Sequence, residues 1–248
     1  MYPVIFQWGP IKLYSYGLML GIAFLAGMIW VNREAKKEGL NRDDILGLIL
    51  IIIASSLLGA RFTYVFLYWE LFQNNLSRVL AFQDGGLVFQ GGFIAALAAS
   101  ILFIRAKKYL FWQVADIFAP ALALGYGIAR VGCFLNGCCY GVETGSSFGV
   151  VFPGAGLFPR HPTQLYAFAA GLLIFAVLVW LRRYKLFHGF IFLSFLLLYG
   201  TYRFIIEFFR VEPPFWGPFS FGQVIAVAFV LVGIIFLAWK ARSGSFSR

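Results

Sequence analysis

Seven stretches of this chain are apolar for about 20 residues each, the length that crosses the hydrocarbon core of a bilayer. They cover residues 13–31, 45–68, 86–104, 112–129, 165–181, 190–206 and 221–239. A backbone in lipid finds no water to bond with, so each such stretch must close its hydrogen bonds internally as a helix. Composition agrees: 61% of the 248 residues are hydrophobic and 12% charged, against roughly 45–50% and about 25% in soluble domains. A soluble fold, a disordered chain and a secreted disulfide scaffold are excluded. The expected fold is an all-α polytopic integral membrane protein of about seven transmembrane helices in a single membrane domain over 1–248. The fourth stretch is the least pure, since it carries Asp116 and Pro120.

The basic residues orient these spans. With the N-terminus outside, thirteen Lys and Arg fall in cytoplasmic segments and five in outer ones, with Arg61 and Arg203 inside spans. That alternation, loop by loop, is what the positive-inside rule requires, and removing any one span scrambles it. The expected orientation is therefore N-terminus outside and C-terminus cytoplasmic. The net charge of +10 is then orientation and lipid contact rather than nucleic-acid binding. Residues 1–10 have no basic region, so a cleaved signal peptide is not expected. A short polar tail covers 243–248, and two longer outer segments stand at about 69–85 and 130–162.

Ionisable residues at membrane depth are costly and so informative. Arg203 and Glu207 lie at i and i+4 in Tyr202-Arg203-Phe204-Ile205-Ile206-Glu207-Phe208-Phe209-Arg210 and share a helix face. They read either as an interfacial ion pair or as an anion site facing the bundle interior. Arg130, among Gly125, Gly127 and Gly132 at the outer end of the fourth span, fits a phosphate grip with backbone donors, or an ordinary interfacial position. Arg61 needs a partner or a cavity. In Asp84-Gly85-Gly86-Leu87-Val88-Phe89-Gln90-Gly91-Gly92 the paired glycines fit a broken helix start that places Gln90, or close helix packing.

Cys133, Cys138 and Cys139 share one outer segment, and their C-x4-C-C spacing matches no zinc or iron–sulfur pattern, so no metal or other cofactor is expected. A disulfide or small buried thiols both fit. Arg160-His161-Pro162-Thr163-Gln164-Leu165-Tyr166 opens the fifth span, where His161 is a base, a phosphate donor or simply interfacial. His188 falls on the cytoplasmic side as a solvated loop residue. Arg130, Arg203, Glu207, Gln90 and His161 thus gather at the outer leaflet, a pattern suited to the head group of an anionic phospholipid.

Five segments in order resemble the motifs of the bacterial prolipoprotein diacylglyceryl transferase family. They are Pro3-Val4-Ile5-Phe6 with Tyr14-Ser15-Tyr16-Gly17-Leu18-Met19, the glycine-rich stretch through Gln90, Ala129-Arg130-Val131-Gly132-Cys133-Phe134-Leu135-Asn136-Gly137 with Gly141, the His161 segment and the Arg203–Glu207 segment. The resemblance implies an enzyme of the bacterial inner membrane with its active site towards the outer leaflet. It would move diacylglyceryl from phosphatidylglycerol to the lipobox cysteine of a preprolipoprotein, forming a thioether and releasing glycerol phosphate. It places the phospholipid-gripping arginine on Arg130, the second essential arginine on Arg203 with Glu207 as its acid, the first-span tyrosine on Tyr16 and the last motif glycine on Gly141. Expected lipid contacts are Arg130, Arg203, Arg61, Asn136 and Gly141; expected catalytic groups are Arg203, Arg130, Glu207, His161, Tyr16 and Gln90.

The chain departs from the family pattern at several points. Gln90 stands where many members have a histidine, Cys133 and Cys138 where the signature has Asn and Glu, Ala129 where it has Gly, and Ala167 where a Glu is common. Gln accepts no proton near neutral pH. The thiol proton is therefore expected to go to His161 or Glu207, with Gln90 only orienting. The alternative is a catalytically altered homologue, or a lipid-binding or transport protein using the same pocket.

Overall fold

Hydrogen bonding closed within each apolar stretch is what the fold displays. A computed structural model of the chain describes residues 1–9, 11–82 and 85–242; Asp84 of the glycine-rich motif and the 243–248 tail lie outside them. Seven helices among the described residues are long and apolar enough to cross a membrane. They are α1 (Ser15–Lys37), α2 (Arg42–Leu67), α3 (Phe89–Ala106), α4 (Phe111–Asn136), α5 (Thr163–Leu181), α6 (Phe190–Glu207) and α7 (Phe221–Arg242). Two short antiparallel hairpins accompany them, β1 (Val4–Trp8) with β2 (Ile11–Tyr14) before α1, and β3 (Pro214–Trp216) with β4 (Phe219–Ser220) before α7. Large apolar side chains stand exposed along the helices, among them Phe62, Phe66, Ile94, Leu173 and Ile235. In water such a surface would aggregate; in a bilayer it is the lipid-facing belt.

The helices fall into two compact units, residues 32–114 and residues 1–31 with 115–248. In the first, α2 begins at Asn41, whose side chain caps it by accepting from the amides of Asp43 and Asp44. Glycines then bring α2 and α3 into contact. A Cβ on Gly91 would collide with Thr63, and one on Gly92 would stand 2.7 Å from the Ser56 carbonyl. The Gly91–Gly92 pair is a packing device, and α3 starts unbroken at Phe89.

In the second unit, Ala119, Ala123, Ile174, Leu178 and Ile191 form the buried core. Here α4 and α5 cross at Gly127 and Gly171, where a Cβ on Gly171 would meet Gly127 Cα at 2.7 Å. Asp116, which mars the fourth apolar stretch, is fully buried and accepts from the amides of Gly189 (2.8 Å) and Phe192 (2.9 Å). It caps α6 from a neighbouring helix, and Lys185 Nζ at 3.5 Å offsets its charge.

The fourth apolar stretch ends near residue 129, but α4 continues to Asn136. It stops in a Schellman turn: Gly137 takes φ 75°, its amide bonds the Phe134 carbonyl, and the Cys138 amide bonds the Cys133 carbonyl. Arg130 therefore sits inside the helix, well before its end.

Candidate functional site

Alternation of seven spans brings the start of α1, the end of α4, the start of α5, the end of α6 and the start of α7 to one face. All of these belong to the second unit, and hydrogen bonds join them. The Tyr2 amide donates to the Leu135 carbonyl near the end of α4 (2.9 Å), tying down the N-terminal hairpin. Gly141, in the connection from α4 to α5, donates to the His161 carbonyl, and its neighbour Val142 donates to the Phe209 carbonyl, both at 2.9 Å. A Cβ at Gly141 would collide with that Phe209 carbonyl and stand 2.8 Å from Thr163. The motif glycine is thus required by close backbone approach between the α4–α5 connection and the end of α6.

At the end of α6, Glu207 is buried and Arg203 Nη1 lies 2.7 Å from its Oε2. That approach is an ion pair outside hydrogen-bond angles, since Oε2 lacks a hydrogen-bond partner. Oε1 accepts from Ser220 Oγ at 2.8 Å, and Arg210 Nε stands 3.7 Å from Oε2. Ser220 belongs to a capping box on α7: its Oγ accepts from the Gln223 amide and its own amide donates to Gln223 Oε1. One serine therefore starts α7 and fixes the acid. Gly222, in the first turn, leaves room for the pair, because a Cβ there would stand 2.7 Å from Arg203 Nη2. Arg210 also bonds Glu212 at 2.8 Å. Burial works against its charge, but Glu212 and Glu207 outweigh that and hold its pKa above the ordinary arginine value.

Arg130 is half-buried, with its guanidinium 4.8 Å from the Tyr126 ring centre. Among the described residues no carboxylate pairs with it. The Tyr126 hydroxyl meets that of Tyr202 at 3.4 Å, so the Arg130 platform touches the residue next to Arg203. Tyr16 opens α1 against α4 at Gly132, where a Cβ would stand 3.1 Å from Tyr16 Cα. His161 Nδ1 bonds the Tyr166 hydroxyl at 3.2 Å, and its ring packs edge-on to Phe209 at 5.2 Å. Asn136, last in α4, is exposed.

The three cysteines are free thiols just beyond Arg130. The side chains of Thr163 and Gln164 hold their loop by donating to the carbonyls of Cys139 (2.8 Å) and Cys138 (2.6 Å). A hydrogen bond from Cys133 draws the Cys139 thiol below the ordinary cysteine range, with Cys138, Arg130 and Arg210 adding to the shift and burial opposing it.

Arg61 and Gln90 belong to the other unit. Arg61 is buried and donates to four main-chain carbonyls, of Arg78, Val79, Gly85 and Gly86. Its five N–H groups leave at most one for any further ligand. A cavity of about 130 Å³ beside it is lined by Tyr64, Leu71, Phe72, Arg78 and Gly85 as well. Gln90, in the first turn of α3, is exposed.

Sequence reasoning missed Ser220, Gln223, Tyr126 and Tyr202. Ser220-x-x-Gln223 before an apolar run is a readable capping signal, but its bond to Glu207 is tertiary.

The chain matches the prolipoprotein diacylglyceryl transferase family over residues 3–239. It is 36% identical over 249 residues to the phosphatidylglycerol–prolipoprotein diacylglyceryl transferase of Geobacter sulfurreducens, covering 97% of this chain and 95% of that one. It is 38% identical over 253 residues to the enzyme of that name from Mannheimia succiniciproducens, with 97% and 94% covered. The Bacillus mycoides enzyme of the same name is 33% identical over 252 residues, with 96% and 92% covered. A family match over nearly the whole chain, with relatives 36% and 38% identical across 97% of it, shows the group: the chain belongs to the prolipoprotein diacylglyceryl transferase family.

Proposed function

We propose that this chain transfers the diacylglyceryl group of phosphatidylglycerol to the lipobox cysteine thiol of preprolipoproteins. A thioether forms and glycerol phosphate leaves. The observation that carries the reading is Arg130, a half-buried cation over the Tyr126 ring with no carboxylate partner among the described residues. Such a charge, one hydroxyl contact away from the Arg203 helix, invites an anionic ligand.

The reaction breaks the bond between a glycerol carbon and a phosphate oxygen and joins that carbon to sulfur. Negative charge grows on the departing phosphoester, and preorganised guanidinium groups stabilise it most where water is excluded. Among the described residues no hydrogen bond or carboxylate engages Arg130, which leaves its donors for a bidentate grip. Arg203, fixed by Glu207, supplies a second positive charge, and a positive field also favours the attacking thiolate. The acceptor proton goes to His161, whose Nδ1 bond to Tyr166 leaves Nε2 as the reactive nitrogen. Glu207, held by Arg203 and Ser220, acts chiefly to position. Tyr16 and Gly141 border the site and Asn136 contacts the head group, while Gln90 lies in the other unit and is given no role. With Arg61 engaged by four carbonyls, the phosphate reading rests on Arg130 and Arg203.

The inner membrane is the matching location, with the N-terminus outside, the C-terminus cytoplasmic and the site at the outer leaflet. Thirteen basic residues inside against five outside support that orientation. No nucleic acid takes part. The test is purified protein with phosphatidylglycerol vesicles and a lipobox peptide, read by mass spectrometry. A diacylglyceryl-shifted peptide is expected, and its absence with lipid still bound would identify a binding homologue and overturn the reading.

A further inference from the structure

The three cysteine sulfurs lie within 4.8 Å of one another, although their sequence spacing fits no metal pattern. The fold closes the set. The Schellman turn at Gly137 swings Cys138 back over Cys133, with its Sγ 3.6 Å from the Cys133 carbonyl. Cys139 then takes φ 63°, a left-handed conformation that costs a side-chain-bearing residue strain. Thr163 and Gln164 pin both loop carbonyls from the start of α5. Gln164 is itself buried, with an Oε1 that has no partner. Three free thiols converge on a braced loop, one buried, one half-buried and one exposed to admit a ligand.

We infer that Cys133, Cys138 and Cys139 form a trigonal three-thiolate site for a soft monovalent cation of the Cu(I) class. Metal–sulfur bonds of about 2.3 Å put the sulfurs of a trigonal set about 4 Å apart, so sulfurs already within 4.8 Å need only a small closure. Zinc prefers a fourth ligand, and among the described residues no His, Asp or Glu joins the group. Soft sulfur donors select Cu(I). Three thiolates around one monovalent ion carry net negative charge, and Arg130, one turn before Cys133 on α4, with Arg210 nearby, offsets it. Each ligating thiol gives its proton to water as the metal enters.

The test uses the whole protein in detergent, reduced and then freed of reductant, with Cu(I) presented on a chromophoric bicinchoninate complex. Three titratable thiols and withdrawal of one Cu(I) per chain are expected, with Cu(I) protecting Cys139 from alkylation. Cys138→Ser and Cys139→Ser should each weaken binding by about tenfold or more, at least the loss seen when supporting residues of metal sites are changed. Protection of the unaltered protein keeps the test decisive if a variant fails to fold. One titratable thiol instead of three, no copper withdrawn, unchanged binding in a triple serine variant, or Zn(II) bound as tightly as Cu(I) would each overturn the assignment. None of these readouts depends on lipid transfer, so the site can fail without the transferase reading failing, and the reverse.

Discussion

Gly222→Ala perturbs the Arg203–Glu207 pair without altering either residue. Gly222 lies in the first turn of α7 with ordinary helical backbone, so alanine is locally favourable by up to about 1 kcal/mol. The new methyl, however, would stand 2.7 Å from Arg203 Nη2 and closer still to Glu207 Oε1, where ordinary contact begins at 3.4 Å. The guanidinium must retreat by about 0.7 Å, the difference between those distances, and the carboxylate by more. Glu207 cannot simply swing aside. It is 5% exposed, Ser220 Oγ holds it at 2.8 Å, and Arg203 and Arg210 flank it. A displacement of about 1 Å in a group that positions charge lowers rates by about 10²-fold. Crowding costs about 1–3 kcal/mol against the helix gain, so net stability moves little. The assay pairs transfer to a lipobox peptide with thermal unfolding in detergent. We expect kcat/KM to fall by about two orders of magnitude at near-parental melting temperature. Parental turnover in Gly222→Ala, in a preparation where Arg203→Ala is dead, would refute the claim that this pair must be held in place.

Arg130→Ala should lower transfer by about 10²–10³-fold or more, the loss expected on removing a charge-stabilising donor. Arg130→Lys should recover little of it, because an ammonium cannot grip phosphate bidentately; full activity in either variant, measured with the same peptide, would remove the phosphate site. Asp116→Ala strips two amides of their cap and removes the carboxylate 3.5 Å from Lys185 Nζ. It should cost about 1–3 kcal/mol in detergent unfolding while leaving KM for phosphatidylglycerol unchanged. Arg61→Ala takes a donor from four carbonyls, of which that of Arg78 keeps the Ala81 amide, and each one left unsatisfied costs about 1–3 kcal/mol where buried. Limited proteolysis should then cut the 68–86 connection faster than in the parent, and equal cutting rates would contradict the clamp.

What the sequence exposes and what it hides follow from which force sets each feature. Lipid forbids unpaired backbone, so all seven spans are legible as apolar runs. Hydropathy reports depth in lipid and not the end of the hydrogen-bond ladder. That is why the fourth run stops near 129 while α4 runs to a left-handed glycine at 137. Arg203 and Glu207 are legible as a pair because i and i+4 are neighbours on any helix. The cysteines are not, because a turn closes their set rather than a spacing.

The two arginines show the limit most sharply. Arg61 and Arg130 both follow small residues near an apolar run, and both demand acceptors that lipid does not supply. Local sequence states that demand without naming what meets it. For Arg61 the carbonyls of Gly85 and Gly86, both at φ above 70°, turn inward with those of Arg78 and Val79. The main chain satisfies it. For Arg130 the Schellman turn returns the last carbonyls of α4 to backbone amides, and among the described residues the Tyr126 face is the contact its guanidinium makes, with no hydrogen-bond acceptor engaged. The donors of Arg130 are therefore the ones a phosphate can take.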